Sequence, residues 1–195
     1  MRINAAQPRP AMTERTNPPN RVLIVEDSKT FATMLQTSVE QEYGFGVDVA
    51  SSLADARQWV KTHAAQYFMA IVDLHLPDAP HGEAAFFVVD AGIPTLVFTG
   101  SDAMPTERLW KIGIADYVHK NTPNSLPYVL WAVGRFKANF TIGVLVVDDM
   151  HTVRNHVQRT LKVQNFTVYT AADTREARQQ LEAHPEIQIV VVDHY

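Results

Sequence analysis

The sequence predicts an α/β fold, a parallel β-sheet doubly wound with helices on both faces. Short β-branched runs alternate with amphipathic helical stretches from Arg21 onward, the pattern of parallel strands joined by crossover helices. The runs end abruptly in carboxylates, as buried parallel strands do when their C-terminal tips carry a site. The pattern also repeats about 120 residues on. Val22-Leu23-Ile24-Val25-Glu26-Asp27 returns as Val144-Leu145-Val146-Val147-Asp148-Asp149, and Met69-Ala70-Ile71-Val72-Asp73 returns as Ile189-Val190-Val191-Val192-Asp193.

Each element follows from local spacing. Residues 22–25 are a β-branched run and predict the first strand. Phe31, Met34, Leu35 and Val39 fall at helical spacing, so 28–41 predicts an amphipathic helix. Gly44 and Gly46 punctuate the turn to a second strand at 47–50. Ser51 or Ser52 can cap the next helix, whose Leu53, Ala56, Trp59 and Val60 share a face. A third strand at 68–72 leads into a loop broken by Pro77, Pro80 and Gly82. A short helix near 83–91, a strand at 95–99, a helix at 105–112 and a strand at 116–118 follow. The helix at 125–139 closes the copy with the stripe Leu126, Val129, Leu130, Val133 and Phe136. The second copy reads as a strand at 144–147, a helix on Val153, Val157 and Leu161, a strand at 166–170, a helix on Ala177 and Leu181, and a strand at 187–192.

A chain of 195 residues holds one large or two small domains, and the repeat decides for two. Residues 21–140 are expected to form a complete copy. Residues 141–195 are expected to form an incomplete one that stops after its third strand, at Tyr195. Residues 1–20 carry Pro8, Pro10, Pro18 and Pro19 and no apolar stretch, which predicts a disordered leader and not a secretory signal. Met12 is an alternative start. Hydrophobic content of 46% is enough for a real core. A net charge of −4 and a pI near 6.0 carry no polyanion-binding signature, so no direct nucleic-acid contact is expected. The absence of cysteine excludes disulfides and Cys-based metal or redox sites and fits a cytoplasmic location. No apolar run approaches the roughly 20 residues of a membrane span, so no membrane partner is expected.

In a doubly wound sheet the ligand site lies beyond the carboxyl ends of the strands. Those ends carry Glu26 and Asp27, then Asp73, then Thr99, then Lys120. A lone Asp at such a position is usually a cap or turn residue, and a lone Lys a solvated charge. Four strand ends in succession make a constellation. Three carboxylates within about 4–5 Å repel by several kcal/mol at an effective dielectric near 20, so they need a raised pKa or a cation among them. Hard oxygen ligands favour Mg²⁺. A carboxylate beside Mg²⁺ can attack phosphorus to give an acyl phosphate, with Lys120 as a second cation and Thr99 as a hydroxyl donor. His75 and His81 flank the site, but no third imidazole or thiolate joins them, and they read as loop residues.

With these residues in place, the first copy resembles the receiver domain of two-component response regulators over 20–140. The resemblance implies a flavodoxin-like five-stranded sheet of strand order 2-1-3-4-5, and strands 2-1-3 for the truncated second copy. It implies Mg²⁺ held by Glu26, Asp27, Asp73 and the main-chain carbonyl of His75, with Asp73 as phosphoacceptor. Thr99 in Val97-Phe98-Thr99-Gly100 matches the switch hydroxyl, Tyr117 the switch aromatic and Lys120 the family lysine. Asp148, Asp149 and Asp193 repeat the acidic trio, with Asp193 as the second phosphoacceptor. Three departures stand out: Gly82 comes one residue late after Pro77, the interval from Asp73 to Thr99 is short, and Asn121 follows Lys120 where proline is common. The short interval predicts a clipped third helix.

The implied partners are a sensor histidine kinase or phosphotransfer protein and a downstream output domain. A homodimer through the face of fourth helix, fifth strand and fifth helix, meaning Trp110, Tyr117 and the stripe over 129–136, is a further expectation. Tandem receivers ahead of an output domain resemble response-regulator diguanylate cyclases (GGDEF). Cyclase activity would belong to a longer parent protein, and this chain's own chemistry is at most slow self-phosphorylation and dephosphorylation. Two rivals are a phosphorylation-independent pseudo-receiver scaffold or dimerisation module, and a haloacid-dehalogenase-type phosphatase. The latter needs a second acid two residues after its nucleophile, where this chain has His75.

Overall fold

The computed structural model describes residues 18–101 and 104–193. The expected leader falls largely outside them, as do Met12 and Tyr195. The chain divides into two compact units, Met1–Val133 and Gly134–Tyr195.

The first unit runs β1 (Arg21–Val25), α1 (Lys29–Tyr43), β2 (Gly46–Ala50), α2 (Leu53–His63), β3 (Tyr67–Val72), α3 (Glu83–Asp90), β4 (Thr95–Thr99), α4 (Thr106–Ile112), β5 (Asp116–His119) and α5 (Ser125–Ala138), with α5 crossing the unit boundary. Its strands form one parallel sheet in the order β2-β1-β3-β4-β5. β3 and β4 are buried at every position, which is why their sequences run apolar without alternation. The third helix is indeed short, at eight residues.

Local chemistry sets the boundaries. Gly44, at φ 67°, ends α1 by donating its N–H to the Glu40 carbonyl. Ser52 caps α2 by accepting from the Asp55 N–H (3.0 Å), and a residue far along the chain adds to it. Asp78, in the loop after β3, accepts from the N–H groups of Leu53 (2.9 Å) and Ala54 (3.0 Å), and these bonds hold its carboxyl below the usual range. The late Gly82 is accommodated in that same loop, where Leu76 and Ala79 exchange main-chain hydrogen bonds in a narrow bridge. Gly82 itself takes φ 77°, and a Cβ there would lie 2.8 Å from the Met104 methyl.

A buried polar network lies within the sheet. Asp48, inside β2, accepts from Arg21 Nε (2.7 Å) and Nη2 (2.5 Å) and from the Tyr67 hydroxyl (2.9 Å). Burial pushes the Asp48 carboxyl up, but the bonds from Arg21 and Tyr67 outweigh it and hold it below the usual carboxylate range.

The second unit contains β6 (Gly143–Val147), α6 (His151–Lys162), β7 (Thr167–Ala171), α7 (Thr174–Ala183) and β8 (Ile187–Val192), with sheet order β7-β6-β8. β7 begins one residue later than spacing predicts, because Asn165 turns the chain at φ 70° and the ladder opens with Thr167 N–H on the Ile142 carbonyl. Asn139 and Asn165 tie the segment after α5 into this unit, donating to the carbonyls of Gln164 (2.8 Å) and Phe136 (3.1 Å). Both sheets share one irregularity. Between Arg21 and Val22 the pairing with β3 skips Phe68, and between Gly143 and Val144 the pairing with β8 skips Gln188. Among the described residues no helix is long and apolar enough to cross a membrane.

Candidate functional site

Parallel register brings the strand tips together. Val25 pairs with Val72, Val72 with Val97 and Thr99 with His119, so Glu26, Asp73, Thr99 and Lys120 leave the sheet side by side. Main-chain bonds fix each tip: Glu26 N–H to the Ala50 carbonyl, Asp73 N–H to Val25, and Lys120 N–H to Thr99.

Asp73 and Glu26 are buried, at 7% and 3% exposure, and Thr99 is fully buried. Their oxygens are closely allotted. Asp73 Oδ1 accepts from the Thr99 hydroxyl (2.7 Å) and the His75 main-chain N–H (3.2 Å), and Oδ2 from Lys120 Nζ (2.6 Å). Glu26 Oε2 accepts from the same Nζ (2.6 Å) and Oε1 from the Ser28 N–H (3.2 Å). The Thr99 hydroxyl is itself oriented by the Ser101 N–H (3.1 Å). Burial pushes the Glu26 carboxyl up, and Lys120 only partly offsets it.

Glu26, Asp27 and Asp73 each present a carboxylate oxygen, and the three oxygens lie within 4.8 Å of one another, with Asp27 exposed at the mouth. An all-oxygen set with one open side fits a small hard cation that keeps water ligands, as Mg²⁺ does. A cation there would also relieve the burial of Glu26. Tyr117 sits on β5 opposite Val97, half-buried against the apolar core. His75 and His81 are exposed loop residues. The peptide after Lys120 is trans, and Ser125 Oγ donates to the Lys120 carbonyl (3.0 Å).

In the second unit, Asp148 is buried and accepts from the Met150 N–H (2.7 Å), as Glu26 does from Ser28. Asp149 and Asp193 are exposed, and the Asp193 N–H bonds the Val147 carbonyl as Asp73 bonds Val25. Among the described residues, only the first trio gathers closely enough to hold a metal.

Two features escaped sequence reasoning. Phe31 and Met34, expected on the apolar stripe of α1, are half-exposed, while Leu35 and Val39 are buried as expected and Ala32 joins them. The Phe31 ring lies 4.6 Å from Lys120 Nζ, with the Phe98 ring at 5.6 Å. Of the expected face, Val129 and Val133 on α5 are core residues, while Trp110 on α4 (51%) and Trp131 on α5 (57%) are exposed, joined by Tyr128 (42%), which spacing did not single out.

Comparison with known proteins agrees with this fold. Two solved structures described as two-component system response regulator/GGDEF domain proteins share 38% and 39% identity with the chain. Each superposes with a TM-score of 0.80 over 90% of this chain and 71% of the other. A protein-glutamate methylesterase/protein-glutamine glutaminase 2 of Anaeromyxobacter dehalogenans (strain 2CP-C) is 28% identical over 141 residues, 70% of this chain. The chain spans 40% of the length of that relative. Residues 22–127, more than half of the chain, match the response regulator receiver domain, and the chain belongs to that family.

Proposed function

We propose that residues 21–140 form a receiver that takes a phosphoryl group on Asp73 from a sensor histidine kinase or phosphotransfer protein. Residues 1–20 are its leader, and residues 141–195 are the β6–β8 part of a second receiver. The observation that carries this is the convergence of the Thr99 hydroxyl and the Lys120 ammonium on opposite oxygens of one buried carboxylate.

An Asp73 carboxylate oxygen forms the new bond to phosphorus while the donor's P–N bond breaks. The electron pair leaves on the imidazole nitrogen, and an acyl phosphate remains. Glu26, Asp27, Asp73 and the His75 carbonyl would hold Mg²⁺, which would supply charge neutralisation to the transferring phosphoryl group. Lys120 transfers its hydrogen bond from Asp73 Oδ2 to a phosphoryl oxygen, and Thr99 moves its hydroxyl to another. Tyr117 follows into the space that Thr99 vacates, which biases a two-state equilibrium and changes what the face of Trp110, Tyr128 and Trp131 binds. That face is the proposed homodimer surface. The likeness to GGDEF proteins over both copies favours an output domain of that class in the full protein. Labelling with acetyl phosphate and Mg²⁺ tests the assignment: uptake by the wild type and none by Asp73→Asn is expected, and equal uptake by both overturns it.

For the second copy the rival reading is a phosphorylation-independent scaffold, and a Mg²⁺-dependent shift of the Asp193 amide resonance would argue against it.

A further inference from the structure

We propose that Phe31 is a positioning residue for Lys120, and that its ring and that of Phe98 bracket the ammonium so that it stays on the acids. This rests on the receiver function above and names a determinant of its rate. An ammonium has three N–H donors on a flexible four-carbon stem, and here two of them point at Glu26 Oε2 and Asp73 Oδ2, each at 2.6 Å. The remaining side of the charge faces aromatic carbon. Nζ lies 4.6 Å from the Phe31 ring centroid and 5.6 Å from that of Phe98, both inside the range at which a ring face attracts a cation. The two rings meet edge to face, 6.3 Å apart at 86°, so each fixes the tilt of the other.

The rings come from different elements and have different exposure. Phe98, on β4 beside Thr99, is 1% exposed, while Phe31, on the first turn of α1, is half-exposed and stands on the solvent side of the lysine. Phe31 therefore closes the route by which the Lys120 head would swing out to water. The cluster leaves the Lys120 side chain only 8% exposed. The matching position in the second copy is Val153, which offers no ring.

Three variants of the full chain separate this from simple packing: Phe31→Leu keeps apolar bulk, Phe31→Tyr keeps the ring, and Asp73→Asn controls for the phosphoacceptor. With saturating Mg²⁺ and acetyl phosphate, where the P–O bond to acetate breaks as the Asp73 bond forms, Phe31→Leu is expected to slow phosphorylation about fivefold. Phe31→Tyr should stay within about twofold of wild type on the same grounds. Independently of labelling, the Lys120 ε-methylene protons should be shifted upfield by the rings in wild type and Phe31→Tyr, and relax toward the other lysines in Phe31→Leu. Equal rates in wild type and Phe31→Leu, an equal loss in Phe31→Leu and Phe31→Tyr, or an unshifted Lys120 in the wild type each overturn the bracket. Failure of the wild type to take label at all overturns the receiver assignment instead, and the resonance test then still decides whether the rings hold the lysine.

Discussion

β3 of the first unit is buried along all six residues, whereas its counterpart β8 exposes Ile189, Val190, Val191 and Val192 to between 41% and 60%. The sequences are equally apolar, so burial here is decided by neighbours. β3 lies between β1 and β4, while β8 is an edge of its sheet. The acids at the two tips differ in the same way. Asp73 meets a hydroxyl, an ammonium and an amide, while Asp193 is open to water. A carboxylate at a strand tip is thus common to both copies. At Asp73 the next two strands bring the Thr99 hydroxyl and the Lys120 ammonium.

Substituting the two strand-tip aspartates one at a time should give the largest difference. Asp73→Asn should reduce phosphoryl uptake to background, and Asp193→Asn should leave wild-type labelling unchanged. Loss of label in the second variant would show that the copies are not unequal.

Next in size is Lys120→Met, which leaves Glu26 and Asp73 facing each other without their shared cation. The label rate should fall on the order of 100-fold. Stability in the absence of divalent cations should fall by about 3 kcal/mol, as for a buried pair stripped of one partner. Urea denaturation with and without Mg²⁺ checks this, and the variant should gain more from the ion than the wild type does.

Asp48 marks a third contrast, since the second copy has Tyr169 at the matching register position, with its hydroxyl on Glu186. Asp48→Asn should cost about 2 kcal/mol at neutral pH, discounted because the Arg21 end is partly open to water. The folded Asp48 pKa is lowered, so its ionised form contributes stability above the unfolded value, and this is lost as pH falls through the folded one. The wild type should therefore lose stability more steeply than the variant below about pH 4.

The smallest effect compares two glycines. A Cβ at Gly143 would meet the Glu186 carbonyl oxygen at 2.7 Å and Ile187 Cα at 2.9 Å, both backbone. At Gly46 it would meet the movable Arg21 guanidinium, also at 2.7 Å. Gly143→Ala should cost about 1 kcal/mol and Gly46→Ala only about a few tenths. Thermal melts of the two variants test the ordering, which reverses if the Arg21 network is stiffer than backbone.

The carboxylates, Thr99 and Lys120 were legible because a strand's last residue can be found from where its apolar run stops, and parallel strands stop together. Strand order came from family likeness, since spacing alone does not order a sheet. Asp48 was illegible: it lies within an apolar run, and its partners Arg21 and Tyr67 sit 27 and 19 residues away. Phe31 misled for another reason. Helical periodicity tells which residues share a face but not that one end of the face overhangs a site. Asp78 looked like a loop residue because its role belongs to α2, whose start is 25 residues earlier.

The skipped residues Phe68 and Gln188 have a consequence at the opposite end of their strands. Without the skip, continued pairing of Arg21 with Tyr67 would set Asp73 beside Asp27 instead of Glu26, and every β3 side chain beyond it would turn to the other face of the sheet. One surplus residue, roughly 16 Å from the acids at strand rise, thus acts as the phase setting of the sheet. It selects which carboxylate neighbours Asp73 before any side chain near the site has a say. Pairing Phe68 in register, instead of skipping it, would be a frameshift in three dimensions.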